Sequence, residues 1–331
     1  MNTAIKNHER PIVVLGASGR VGNVVARHLL DKGIAVRAVA RHTEKLKPLE
    51  EKGAEIWTGA IEEQDFMNTV FTNAKAAFIL TPGDTASPDL HEEQRKNNEH
   101  IVTAIKHAGI THVVFLSSWG AELAEKSGTI YGCYLMEQLL NQITGLHVVH
   151  LRAVWFMDNF IYNIGLIKMA GINGLSIDAD FSFPCIDSKD IGVVAAHYLS
   201  VLDFTGKNIH YLQGPRDYSM KEVTKILGTA IGKPSLKYIK FPKSVMIQGL
   251  KSSGTISANV AQLLVETNEK INASKVHGEI RTAANTTTTT LEEFAKNKFL
   301  PAYNNEKKPS FFSKLQGAFL RLYLSLTANN A

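Results

Sequence analysis

The residues with the clearest chemical meaning are three glycines at steps of three. Gly16-Ala17-Ser18-Gly19-Arg20-Val21-Gly22 follows directly on the apolar run Ile12 to Leu15 and leads into a helical pattern marked by Val21, Val24, Val25 and Leu29. In a strand–turn–helix unit the first glycine permits the tight turn, the second lets the main chain approach a pyrophosphate, and the third lets the helix sit close on the strand. The start of the helix adds unpaired N–H groups and the positive end of its dipole. Binding of a dinucleotide is therefore the first chemistry expected, with Gly16 through Gly22 as its contacts.

The second strand decides which dinucleotide. About 20 residues beyond the turn, an NAD enzyme presents an Asp or Glu to the ribose 2′-hydroxyl. This chain reads Val39-Ala40-Arg41-His42 there. With no acid present, and with a guanidinium suited to bidentate contact, Arg41 points to a 2′-phosphate and to NADP(H) in preference to NAD(H). Arg20, at the mouth of the glycine turn, could reach the same phosphate or the pyrophosphate.

Elements that would position these groups recur at an interval of about 25 residues, short β-branched runs alternating with helical patterns, which is how a parallel sheet is written. Strands are expected at Ile12–Leu15, Ala35–Ala40, Ala54–Trp57, Ala76–Leu80, Val113–Leu116 and Leu146–Leu151. Helices are expected at Val21–Lys32, Thr43–Lys52, Glu63–Phe71, His91–Ala108 and Thr129–Ile143, with Gly33, Gly53, Gly109 and Gly145 ending four of them. The fold class is α/β, a doubly wound parallel Rossmann sheet. Residues 1–152 form the dinucleotide-binding domain, and 153–300 form a smaller substrate or partner lobe, partly interleaved with the first. Residues 301–331 form a tail containing an amphipathic helix. Ligands of such sheets sit at the carboxyl ends of the strands, so Leu80, Thr81, Pro82 and Ser117 join the candidate cofactor contacts. In the second lobe, helices are expected at Ser188–Leu202 and Met220–Ile231, and after Thr286–Thr290 a helix opened by Leu291, Glu292 and Glu293.

A chain of 331 residues, 44% hydrophobic and 20% charged, can bury a full core, and its composition excludes fibrous or wholly disordered classes. The net charge of +5 comes from scattered Lys and Arg, so no nucleic-acid partner is expected. Two cysteines, Cys133 and Cys185, make no disulfide framework, and the 12 histidines include no zinc-binding pair at helical spacing, so no metal is expected. The polar start and the lack of any run near the roughly 18 apolar residues of a membrane span point to the cytoplasm. In the tail, Phe312, Leu315, Phe319, Leu322 and Leu326 share one helix face. That face over 311–326 would pack on its own domain or in a homodimer, lie on a membrane surface, or act as a lid.

The passages VVLGASGRVG, VRAVARHTEKL, HVVFLSS, LRAVWFMDN and TTTTTLEEFAKN resemble the NmrA-like group of atypical short-chain dehydrogenases, and together they span nearly all of residues 11 to 298. The G-x-x-G-x-x-G spacing is similar to the extended branch of that superfamily, and the element from Arg152 to Asn159 is more particular to the group. The group includes quinone-reductase-like and isoflavone-reductase-like enzymes and NADP-sensing regulators without turnover. The resemblance implies Gly16, Ser18, Gly19, Arg20 and Gly22 at the pyrophosphate and Arg41 at the 2′-phosphate. Two departures stand out. Gly59-Ala60 replaces the frequent Gly-Asp after the third strand, and Cys133 stands where a Lys is frequent, four residues before Glu137.

A typical short-chain dehydrogenase pairs Tyr with Lys as Tyr-x-x-x-Lys, but here Tyr131 is followed at that spacing by Leu135 and Tyr134 by Gln138. An unassisted phenol, with a pKa near 10, is a weak acid–base group. Alcohol–ketone interconversion is therefore disfavoured, whereas reduction of a quinone or similar planar conjugated acceptor asks less of the protein. Ser117 and Tyr131 are the candidate catalytic residues, and Trp119, Trp155, Phe156 and Asn159 the candidate substrate pocket. The two functions expected are an NADPH-dependent reductase of such an acceptor and an NADP(H)-sensing regulator acting on a protein partner.

Overall fold

A computed structural model describes residues 10–125, 127–273 and 279–306. Its strands are β1 (Ile12–Leu15), β2 (Val36–Ala40), β3 (Glu55–Thr58), β4 (Ala76–Leu80), β5 (His112–Ser118), β6 (His147–Ala153), β7 (Trp155–Phe156), β8 (Ile172–Leu175), β9 (Ser182–Ile186), β10 (Lys207–Leu212), β11 (Asp217–Ser219) and β12 (Lys237–Lys240). Its longer helices are α1 (Arg20–Asp31), α2 (Lys47–Glu50), α3 (Gln64–Phe71), α4 (Leu90–Ala108), α5 (Tyr131–Asn141), α6 (Ile164–Ala170), α7 (Ser188–Val201), α8 (Met220–Ala230), α9 (Lys243–Ser252) and α10 (Ala258–Asn272). A last helical stretch, Leu291 to Asn305, contains a wider π turn at Ala295–Phe299, two residues before Pro301, which has no N–H to continue the regular ladder.

Seven parallel strands form the main sheet in the order β10-β6-β5-β4-β1-β2-β3. The order reverses between β1 and β4, which makes that point the topological switch of a Rossmann fold. Both faces of the sheet are covered, which is why its central strands read as unbroken apolar runs. Ile12, Val14, Phe78 and Val114 lie in the core under α1 and α7, and Val13, Leu15, Ile79 and Phe115 in the core under α3, α4 and α5. Phe78 and Phe115 have no exposed surface, and each such side chain contributes about 1.5–3 kcal/mol by leaving water.

In the main sheet and the helices of its first half, three elements depart from the sequence reading. The helix expected at Thr43–Lys52 shrinks to Lys47–Glu50, because Pro48 fits only a first turn and the residues before it form turns instead. The helix expected at Thr129–Ile143 opens as a 3-10 turn, Gly128–Ile130, and becomes α-helical only over Tyr131–Asn141. β10 was not expected at all. It lies parallel to β6, from Lys207 beside Val148 to Leu212 beside Ala153, so the chain beyond residue 152 returns to complete the main sheet. The remaining strands form two small sheets, β11-β9-β7 and β12-β8, the first of which starts just past the carboxyl end of β6, where the chain runs on into β7. The expected tail helix over 311–326 lies outside the described residues. No described helix is long and apolar enough to cross a membrane.

Candidate functional site

The glycine turn has the geometry its sequence predicts. Gly16 takes a φ of +64°, and a Cβ there would come within 2.7 Å of the Leu80 side chain, so the end of β4 lies against the turn. The Gly19 N–H donates to the Gly16 carbonyl at 2.8 Å, closing the turn. At Gly22 a Cβ would stand 2.4 Å from the Gly16 carbonyl oxygen, so only glycine lets α1 approach β1 this closely. Ala17 is buried and its N–H donates to the Val39 carbonyl at 3.0 Å, which fastens the turn to the end of β2. Arg41, exposed, follows two residues later.

The start of α1 is open to an anion. Gly19 caps it with no side-chain hydrogen bond, and its first turn carries no acid. The orphan N–H groups and the dipole are therefore unanswered by the protein itself. Ser18 is half-buried and Gly19 and Arg20 are exposed, while Val21 and Gly22 are buried under the helix. Arg20 leans toward the segment after β7, its Nε 3.7 Å from Asp158 and its guanidinium 5.1 Å from the centre of the Tyr162 ring. Asp158 is buried, accepts the Ser188 N–H at 3.2 Å and lies 3.6 Å from Lys298. Through Arg20, the 3-10 segment Met157–Asn163 is held against the glycine turn. Sequence reasoning did not single out Asp158 or Lys298, and their separation by 140 positions along the chain (298 − 158) left no local signal.

At the carboxyl ends of β4 and β5 the candidates converge on α5. Thr81 Oγ1 donates to the Gly132 carbonyl at 3.4 Å, and Pro82, half-buried, continues the loop. Ser117, 3% exposed, donates its hydroxyl to Glu137 Oε1 at 2.5 Å. Glu137 also accepts two hydrogen bonds from Arg152, whose third nitrogen reaches Glu122 and Tyr211. Burial works against the Arg152 cation, but the hydrogen bonds and charge of Glu137 outweigh it and raise its pKa above the ordinary arginine value. Tyr131 begins α5 half-buried, its ring 4.9 Å from that of His91 and stacked 5.9 Å from that of Tyr134. Cys133 stands between Thr81 and Glu137. Burial first, and the Glu137 charge second, push its thiol up to about 12, so it stays protonated and is no nucleophile.

The aromatic candidates are divided. Trp119 is 5% exposed and packed in the core. Trp155 is half-buried, 6.4 Å from Phe160 and edge-on to Phe183 at 5.7 Å, and Phe156 and Asn159 are half-buried beside it. Among the described residues no cluster of three metal-ligating side chains occurs.

His150, on β6 beneath this network, supplies a test of the site's buried polar layer. Its Nε2–H donates to Asn141 at 2.8 Å, whereas Nδ1 is buried with no partner among the described residues. That arrangement has room for the neutral ring only, and burial pushes its pKa from 6.5 down to about 4, against the pull of Glu137. Between those two values the unfolded chain binds the proton and the folded chain does not. Stability attributable to His150 is therefore complete above pH 6.5, falls as pH drops to about 4 and levels off below. Urea unfolding at pH 7 and pH 4 is expected to show His150→Gln losing up to about 3 kcal/mol less than the wild type over that interval. Equal losses in the two proteins would refute the assignment.

Comparison with known proteins agrees with this architecture. The (4-alkanoyl-5-oxo-2,5-dihydrofuran-3-yl)methyl phosphate reductase of Streptomyces griseus is 27% identical over 223 residues, covering 67% of this chain and 74% of its own. The triphenylmethane reductase of Citrobacter sp., solved with NADP(H), superposes with a TM-score of 0.71 at 19% identity, over 87% of this chain and 100% of its own. NmrA, a negative transcriptional regulator solved with NAD, superposes with a TM-score of 0.69 at 18% identity, over 89% of this chain and 96% of its own. The model of the NmrA-like family matches residues 8–298, and the chain belongs to that family.

Proposed function

We propose that the protein is an NADPH-dependent reductase of a quinone or a similar planar conjugated acceptor. The observation that carries the dinucleotide half of this reading is the uncapped, acid-free start of α1 behind a turn in which Gly16 and Gly22 leave no room for a Cβ. Residues Gly16 to Gly22 would hold the pyrophosphate, Arg41 the 2′-phosphate, and Leu80, Thr81, Pro82 and Ser117 the nicotinamide end, where the bound dinucleotide supplies a hydride. Arg20 is placed to exchange Asp158 for a phosphate. Trp155 and Phe156, with Asn159 beside them, would line the acceptor pocket, to which Trp119, packed in the core, adds little surface, and Tyr131, half-buried at the start of α5, would give a proton. The dye and dihydrofuranyl phosphate reductases among the similar proteins support reduction of a conjugated acceptor.

A second reading, an NADP(H)-sensing regulator that acts through a protein partner, is favoured by one observation. The position where the family frequently has Lys is Cys133, whose thiol stays protonated with a pKa of about 12. Titration with NADPH followed by its oxidation in the presence of a panel of quinones separates the two. Quinone-dependent oxidation supports the reductase, and tight binding without oxidation of any acceptor overturns it in favour of the sensor.

Cofactor preference has its own test. Arg41→Ala is expected to weaken NADPH about tenfold to a hundredfold, the worth of one bidentate charged contact, and NADH less than threefold. Equal weakening of both would remove Arg41 from the 2′-phosphate.

A further inference from the structure

A serine hydroxyl carries one proton and two lone pairs, and in Ser117 the proton is already committed. It lies 2.5 Å from Glu137 Oε1. The direction of that bond is fixed by what surrounds Glu137. Arg152 donates Nε–H to Oε1 at 3.0 Å and NH2 to Oε2 at 2.7 Å, and a carboxylate held by a guanidinium fork only accepts. Arg152 is itself fixed, because NH1 donates to Glu122 at 3.0 Å and to Tyr211 at 2.8 Å. Ser117, Glu137 and Arg152 are 3%, 2% and 6% exposed, so water does not compete for these bonds. What Ser117 has left to offer a ligand at the carboxyl end of β5 is lone pairs.

We propose that Glu137 is a positioning residue that sets the polarity of Ser117, so that this end of the site accepts a hydrogen bond from an N–H or O–H group of its ligand and disfavours a bare carbonyl. The inference rests on the dinucleotide site proposed above and narrows it. Ser117 is not the donor that stabilises a developing oxyanion, and proton donation falls to Tyr131. The ligand's donor is the carboxamide of the nicotinamide or a hydroxyl of the acceptor, and the two sources are separable.

Calorimetric titration of the full chain with NADP+ and with its 3-acetylpyridine analogue tests the first source, since the analogue keeps the carbonyl and lacks the N–H. The wild type is expected to prefer NADP+ about fivefold, the worth of one neutral hydrogen bond. Ser117→Ala brings the ratio to about one, and Ser117→Thr, which keeps the hydroxyl, preserves most of it. Glu137→Leu, which removes the acceptor of the Ser117 proton, also lowers the ratio. If that variant does not fold, the two serine variants decide the matter alone. The second source is read from a hydroxyquinone and its methyl ether, whose KM ratio collapses in Ser117→Ala. Preferences that survive Ser117→Ala in both pairs overturn the polarity assignment and leave the dinucleotide site standing. A wild type that binds neither dinucleotide overturns both.

Discussion

Gly22→Ala is expected to abolish measurable dinucleotide binding and to lower stability by about 1–3 kcal/mol, the usual cost of overpacking. The added methyl would stand 2.4 Å from the Gly16 carbonyl oxygen, 2.8 Å from its carbon and 3.1 Å from the Leu15 oxygen. All three are main-chain atoms at the end of β1, so no side chain can rotate away. Relief requires α1 to lift from the strand or the turn to open. Either movement displaces the Gly19 N–H, which closes the turn, and the free N–H groups behind it. Gly165→Ala is the matched control, because that glycine lies in α6 with nothing within 4 Å of a Cβ. It is expected to bind normally and to gain up to about 1 kcal/mol from helix propensity. Urea unfolding and NADPH titration of the two variants read both effects, and normal binding by Gly22→Ala would remove the turn from the cofactor site.

The contrast between those two glycines shows what the sequence could disclose. Gly22 was legible because its packing is set by neighbours a few residues away, in a turn whose strand and helix are themselves periodic. The same holds for β1, β4 and the Val113–Leu116 part of β5, whose apolar runs are unbroken because both faces are covered. Legibility fails where a residue answers to distant partners. β10 carries Lys207, Asn208 and His210 among its apolar residues because it is an edge strand, so its pattern is diluted, with Ile209 54% exposed. Trp119 has the residue type of a ligand wall but the burial of a core residue, and residue type alone cannot distinguish the two. Ser117 was recognisable as a candidate from its place at the end of β5. Its hydrogen-bond direction depends on Glu137 and Arg152, 20 and 35 positions away (137 − 117 and 152 − 117), and on their pairing, which leaves no spacing to read.

That pairing is also the site's point of greatest vulnerability. Arg152→Met is expected to cost about 3–5 kcal/mol, because the thioether fills much of the space and leaves Glu137 buried without its counter-charge. Glu122 and Tyr211, nearer the surface, can turn to water, so the cost concentrates on Glu137 and on the Ser117 hydroxyl bound to it. The double variant Arg152→Met with Glu137→Leu removes both charges and is expected to recover most of the stability, since the attraction within a buried pair is largely cancelled by the desolvation of its members. Stability and ligand selection should then part company. In the double variant Ser117 loses its acceptor, its hydroxyl is free to donate, and the preference for NADP+ over the acetylpyridine analogue should vanish although the fold is restored. A double variant as unstable as Arg152→Met alone would mean that the pair contributes more than charge balance and holds β5, β6 and α5 together through its geometry.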